Sequence, residues 1–254
     1  MDTPIDFGVL GMSVPQQGCF YGLPWAMGLM GFEGVAGPTV AQACATSARC
    51  VAMAADEVAL GRATCALVLT ADRVSNGPQI YYPDPAGPGG SGRHETWVLD
   101  NFRADPFAQV AMIETAENVA RKLGIDTAEQ NDVTLMRYAQ YQDALADNRA
   151  FQRRYMTLPF DVPDNKLRTT VATLQGDEGV HATTRDGLAR LKPTLDGGTV
   201  TFGGQTHPAD GNAAMFVCSQ DMAERLSTRP EIRIRVCASG QARTDKALMP
   251  YATI

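Results

Sequence analysis

Between residues 38 and 70 the hydrophobic period changes twice, and no other feature of the chain constrains its fold as tightly. Residues 38–43 read as a short buried strand ending at Cys44. Residues 45–60 place Ala48, Val51, Ala52, Ala55, Val58 and Ala59 at helical spacing, and Gly61 closes that helix. Residues 64–70 are then a continuous apolar run of strand length. A strand, a helix and a strand with a short return make a βαβ unit, which predicts an α/β fold.

The flanking segments extend the alternation. Residues 7–14 read as a strand, and 15–31 contain a helix. Residues 75–105, with Pro83, Pro85, Gly87, Pro88, Gly89 and Gly90, read as an excursion loop. No Gly-Lys-Ser/Thr follows those glycines, so they do not form a phosphate loop. A helix over 108–123 ends at Gly124. Asp126 and Glu129 form a capping-box pattern that opens a second helix to about residue 147. Residues 151–175 read as irregular, and a short helix over 184–191 is stopped by Pro193. Strands are expected at 199–202 and 213–218, a helix at 219–227, and a strand with one solvated face at 232–238, where Ile-Arg-Ile-Arg-Val alternates.

Composition narrows the function classes. With 254 residues the chain can hold one large domain or two small ones. The net charge of -6, mixed along the chain, argues against nucleic acid and weakly against an anionic membrane. No apolar run approaches the roughly 18 residues of a membrane helix. Met1-Asp2-Thr3-Pro4 opens no signal peptide, so the cytoplasm is the default expectation. The cysteines form no C-x-x-C pair, and His94, His181 and His207 are scattered, so no metal site is expected. Cysteines inside apolar runs, such as Cys65, read as small buried hydrophobes with free thiols.

Chemistry concentrates at Gln42-Ala43-Cys44-Ala45-Thr46-Ser47-Ala48-Arg49. A thiol delivered to a helix N-terminus meets the partial positive charge of that end, which favours an anion. The resulting thiolate can accept an acyl group, and the free N–H groups can bind an oxyanion. Chemistry alone equally allows Cys44 to be a small core residue before a helix.

This segment resembles the nucleophile region of the thiolases, where a strand delivers Cys-Ala-Ser-Gly into an Ala-rich helix. Further matches follow in the family's order: Thr115-Ala116-Glu117-Asn118-Val119-Ala120, Gly124-Ile125, Glu129-Gln130, Asp177-Glu178, Thr183-Thr184, residues 188–193, residues 198–201 and Asp210-Gly211. The resemblance implies a thiolase-like α/β fold. An N-terminal α/β layered domain would span 1–72 and 197–228. An inserted helical loop domain covering CoA would span 73–196. Residues 229–254 would only begin a second α/β domain. It further implies ping-pong acyl transfer through Cys44, forming or cleaving a 3-oxoacyl-CoA. Acyl-CoA and CoA would be substrates, Met112 and Thr206 would contact CoA, and no cofactor would be needed. A homodimer or tetramer is expected for the complete protein.

The departures matter as much. The family's leading strand and helix, its Asn-Glu-Ala-Phe and Gly-His-Pro segments and its second catalytic cysteine have no match here. The chain alone is therefore expected to lack the full reaction. His207, in Thr206-His207-Pro208, reads as a loop histidine. Cys237-Ala238-Ser239-Gly240 spells the nucleophile motif, but the polar stretch after it cannot build a buried helix. Ala111 replaces a histidine common in the family, and Ile113 adds bulk where glycine is common. These changes support an alternative, a non-catalytic thiolase-like subunit that binds acyl-CoA or a partner chain. A ketosynthase-type condensing enzyme is disfavoured by the matches from Thr115 to Thr201.

Overall fold

The computed structural model describes residues 5–75, 77–164, 166–206 and 209–254. The readings that rest on Met1–Pro4 and on His207 lie outside the described residues. In chain order the elements are β1 (Phe7–Gly11), α1 (Leu23–Leu29), β2 (Thr39–Val40), α2 (Thr46–Ala59), β3 (Cys65–Asp72), β4 (Gln79–Tyr82), β5 (Arg93–Thr96) and α3 (Trp97–Arg103). Then come α4 (Met112–Leu123), α5 (Thr127–Ala144), the single turn α6 (Ala146–Arg149), β6 (Phe160–Pro163), β7 (Thr170–Leu174), α7 (Arg185–Ala189), β8 (Gly211–Cys218) and α8 (Gln220–Leu226). Two compact units result: residues 1–109 with 208–243, and residues 110–207 with 244–254. The segment 73–109, expected in the loop domain, is grouped with the first unit.

Alternation along the strands builds the first unit. Its sheet has the order β2-β1-β3-β8, with β1 parallel to β2 and β3, and β8 antiparallel to β3. Successive strand residues face opposite sides. Val9, Ala66 and Val68 therefore pack with Cys50 and Ala54 of α2 on one face. Leu10 and Leu67 pack with Leu23 and Met27 of α1 on the other. Asp6 accepts the Thr64 and Cys65 N–H groups at the start of β3, and Asp72 accepts the Ser13 and Val14 N–H groups at its end. The sheet between helices is the layered α/β arrangement expected from the sequence.

Local signals hold where they were read. Gly124 is left-handed at φ 71°, ψ 26° and ends α4. Asp126 accepts the Glu129 N–H while the Glu129 carboxylate accepts the Asp126 N–H, at 2.8 and 2.9 Å. Five expectations need correction. The buried strand at 38–43 shrinks to Thr39–Val40 on the sheet edge, because the chain turns at Ala43, φ +46°. The 75–105 excursion contains the β4–β5 hairpin and α3, and Trp97 Nε1 donates to Ser13 O. Residues 151–175 contain the β6–β7 hairpin, whose turn is held by Asp164 accepting from the Arg168 N–H at 2.7 Å. Residues 199–202 and 232–238 form no strands. In the first case the N–H groups go to a carboxylate. In the second, no described strand lies alongside, and Ile232, Ile234 and Val236 are exposed.

That carboxylate belongs to Glu117, only 5% exposed on α4 in the second unit. It accepts the Thr199 and Val200 N–H groups at 2.8 and 2.7 Å and the Thr199 hydroxyl at 3.1 Å. Sequence reading left Glu117 as one match among many. No local pattern marks it, since its partners lie more than 80 residues away.

Candidate active site

Cys44 sits in a 3-10 turn, Ala43–Ala45, that runs directly into α2. It is exposed, which removes the reading of a small core residue. The turn is built locally. The Thr46 hydroxyl accepts the Gln42 N–H at 2.8 Å and donates to Ala43 O at 2.6 Å. Ala43 adopts the left-handed region, which costs a non-glycine residue roughly 1 kcal/mol or more. Such strain persists only where the surroundings over-determine it. Here Thr46 clamps the turn from below and is itself 6% exposed.

Tertiary packing fixes where α2 begins. A Cβ on Gly11, at the end of β1, would lie 2.9 Å from both Cys50 Sγ and Thr46 Cγ2. Only glycine lets β1 approach the first turns of α2 this closely. Neither Gly11 nor Thr46 was singled out from the sequence. A hydroxyl residue two positions after the cysteine was the available signal for Thr46.

The other thiols are placed differently. Burial pushes the Cys50 thiol up. Burial, with the Cys218 thiol hydrogen-bonded beside it, pushes Cys65 up to about 12. Both are fully buried, out of reach of an external thioester, which disfavours them as acyl acceptors. Cys237 is exposed, and the residues that follow it form no helix, as its polar neighbours predicted. His94 lies on β5 against the Tyr81 ring, 5.0 Å between centroids. An open hollow of about 380 Å³ in the first unit is lined by Met12, Gln16, Trp25, Asp72 and Asp210, among others; Cys44 is not part of it.

The CoA-contact candidates both belong to the second unit, whereas Cys44 belongs to the first. Met112 is half-buried and is the first residue of α4. Its carbonyl accepts the Thr115 hydroxyl at 2.6 Å. The Glu114 carboxylate accepts the Ala111 N–H at 2.6 Å, so Ala111 and Ile113 lie in a well-tied helix start. Thr206 is exposed just after the 3-10 turn Phe202–Gly204. Among the described residues no group of His, Cys, Asp or Glu could hold a metal ion. No helix among them is long and apolar enough to cross a membrane.

The family model of the thiolase N-terminal domain matches residues 25–221. The chain belongs to the thiolase family. This thiolase chain is 30% identical to the acetyl-CoA acetyltransferase of Paracoccus denitrificans over 76% of its own length and 48% of the relative's. It is 26% identical to the 3-ketoacyl-CoA thiolase of Bacillus subtilis over 93% of its length and 59% of the relative's. Peroxisomal and mitochondrial thiolases, from Mus musculus and Aspergillus fumigatus, are also similar. Human mitochondrial 3-ketoacyl-CoA thiolase shares the fold, with TM-score 0.73 and 24% identity over 88% of this chain and 56% of that one. A structure of the same human enzyme in complex with CoA aligns at TM-score 0.71. The thiolase chain thus spans about half the length of the relatives it matches.

A backbone test separates the helix end from the side chains around it. Ser47 is the second residue of α2 and is exposed. Ser47→Pro removes one first-turn N–H and is sterically tolerated there. Ser47→Ala keeps it. We expect iodoacetamide to modify Cys44 several-fold more slowly in the Pro variant and at an unchanged rate in the Ala variant. Equal rates in two folded variants would show that the end of α2 does not activate Cys44.

Proposed function

We propose that this thiolase chain supplies the nucleophile of an acyl-CoA acyltransferase, with Cys44 as the acyl acceptor. The Cys44 sulfur attacks the thioester carbonyl of an acyl-CoA, and the bond to the CoA sulfur breaks. CoA leaves, and the acyl group rests on Cys44 as a new thioester. Attack by the α-carbanion of a second acyl-CoA then forms a 3-oxoacyl-CoA and frees Cys44; the reverse sequence cleaves one. Membership in the family supports the reaction class. The observation that carries the assignment to Cys44 is its exposure on a strained turn at the head of a long helix, beside thiols that are buried or lack such a helix. The first-turn N–H groups of α2 would stabilise the oxyanion. Met112 and Thr206 are proposed to contact CoA. Assembly as a homodimer or tetramer, and a cytoplasmic location, belong to the same proposal.

The experiment is acyl mapping on the longest native polypeptide that contains these residues. Incubation with acetyl-CoA and an acid quench should leave a thioester on Cys44, found by peptide mass spectrometry. A thioester mainly on Cys237 or Cys50 would sink the assignment. CoA binding with no thioester on any cysteine would favour the non-catalytic subunit instead.

A further inference from the structure

Two cysteines with no part in this chemistry face each other across the sheet. Cys65 opens β3, Cys218 closes β8, and the two are register partners. The Ser219 N–H donates to Thr64 O at 2.8 Å, while the Cys65 N–H and carbonyl pair with Asp6 on the other side. Cys65 and Cys218 therefore form a non-hydrogen-bonded pair, the type whose Cα atoms lie about 4.5 Å apart. That spacing falls within the roughly 4.4–6.8 Å that a disulfide accepts. The thiols already touch, with Cys218 Sγ 3.4 Å from Cys65 Sγ. Rotation of the side chains, with the strands in place, closes the remaining gap.

We propose that Cys65 and Cys218 are an oxidisable pair that closes into a cross-strand disulfide and locks β8 to β3. The oxidant class is a hydroperoxide, with hydrogen peroxide as the simplest member. Cys218 is half-buried and Cys65 fully buried, so Cys218 meets the oxidant first. Its sulfur attacks a peroxide oxygen, the O–O bond breaks, and water leaves a sulfenic acid. The Cys65 sulfur then attacks Cys218 sulfur, the S–O bond breaks, and a second water carries off the Cys65 proton. The two thiols lose two electrons and two protons, and the peroxide becomes two waters. The lock joins separate stretches of chain, because β3 precedes residues 110–207 and β8 follows them. Once oxidised, β8 cannot leave the sheet without carrying β3 along.

The test exposes the folded chain to hydrogen peroxide, alkylates free thiols and digests with trypsin. Cys65 is the one cysteine of the tryptic peptide 63–73, and Cys218 the one cysteine of 191–225. We expect these two peptides joined, and an unfolding midpoint in urea that rises on oxidation and falls back with dithiothreitol. Cys218→Ser should abolish both effects. Recovery of Cys65 in alkylated form, or its linkage to Cys50, would overturn the proposal. So would a linked pair with an unmoved midpoint. Mapping of the unmutated chain decides the matter even if the serine variant fails to fold.

Discussion

Replacing Glu117 by alanine should destabilise the second unit by about 2–6 kcal/mol, since it strips the acceptor from two backbone N–H groups at roughly 1–3 kcal/mol each. Val200 is 7% exposed, so its N–H has little access to water. Glu117→Gln keeps one carbonyl acceptor and should lose less. Urea unfolding followed by a probe in residues 110–207 would measure both. The pH dependence gives a second handle. Burial raises the Glu117 carboxyl, but hydrogen bonds from Val200 N–H, Thr199 N–H and the Thr199 hydroxyl outweigh it, and the group is held below its ordinary value. Its contribution is therefore complete above the usual carboxylate range, about pH 4.3, and disappears as pH falls through the folded value. Wild-type stability should drop more steeply than that of Glu117→Gln on acidification below that range. Parallel curves for the two proteins would mean that the carboxylate does not hold residues 199–200.

Gly11→Val should be the most damaging single change around Cys44. Its Cβ would meet Cys50 Sγ and Thr46 Cγ2 at 2.9 Å and Thr70 Cγ2 at 3.1 Å. Thr46 cannot swing aside without releasing Gln42 and Ala43. Overpacking of this kind costs about 1–3 kcal/mol, and valine's extra methyl groups put it at the upper end or beyond. Gly11→Ala should cost less, partly because alanine restricts the unfolded chain. The consequence for function is more specific than instability. Shifting the first turn of α2 moves the clamp under Ala43, so Cys44 alkylation should slow in the folded Val variant. An unchanged midpoint together with an unchanged alkylation rate would show that β1 does not position the Cys44 turn.

These two residues mark where sequence reading ends. The helix over Thr46–Ala59, the stop at Gly124 and the Asp126–Glu129 box were legible because each signal lies within a few residues of the element it controls. The apolar runs Val9-Leu10 and Ala66-Leu67-Val68 likewise belong to the strands themselves, and strand geometry then sends successive residues to opposite faces. Cys44 was found as a residue type at the head of a helix. Its exposure and the left-handed backbone of Ala43 were not, because solvent access and a positive φ at a non-glycine residue are set by the folded chain around them and not by residue type. The hairpins over 79–96 and 160–174 escaped notice because a strand's hydrogen bonds are made by its partner, and neither sequence alternates strongly enough to declare one. Residues 199–200 and 232–236 show the converse. Their side chains favour strands, yet Glu117 takes the N–H groups of the first pair, and no described strand lies beside the second. The sequence by itself determined the helices other than α3, the caps at Gly124 and Asp126, the apolar runs of β1 and β3 and the candidate nucleophile, since these depend on neighbours along the chain. Tertiary structure alone decided strand pairing, the fate of the Thr199 and Val200 N–H groups and the meeting of Cys65 with Cys218, since backbone hydrogen bonds and thiol contacts join residues from about 60 to more than 150 positions apart.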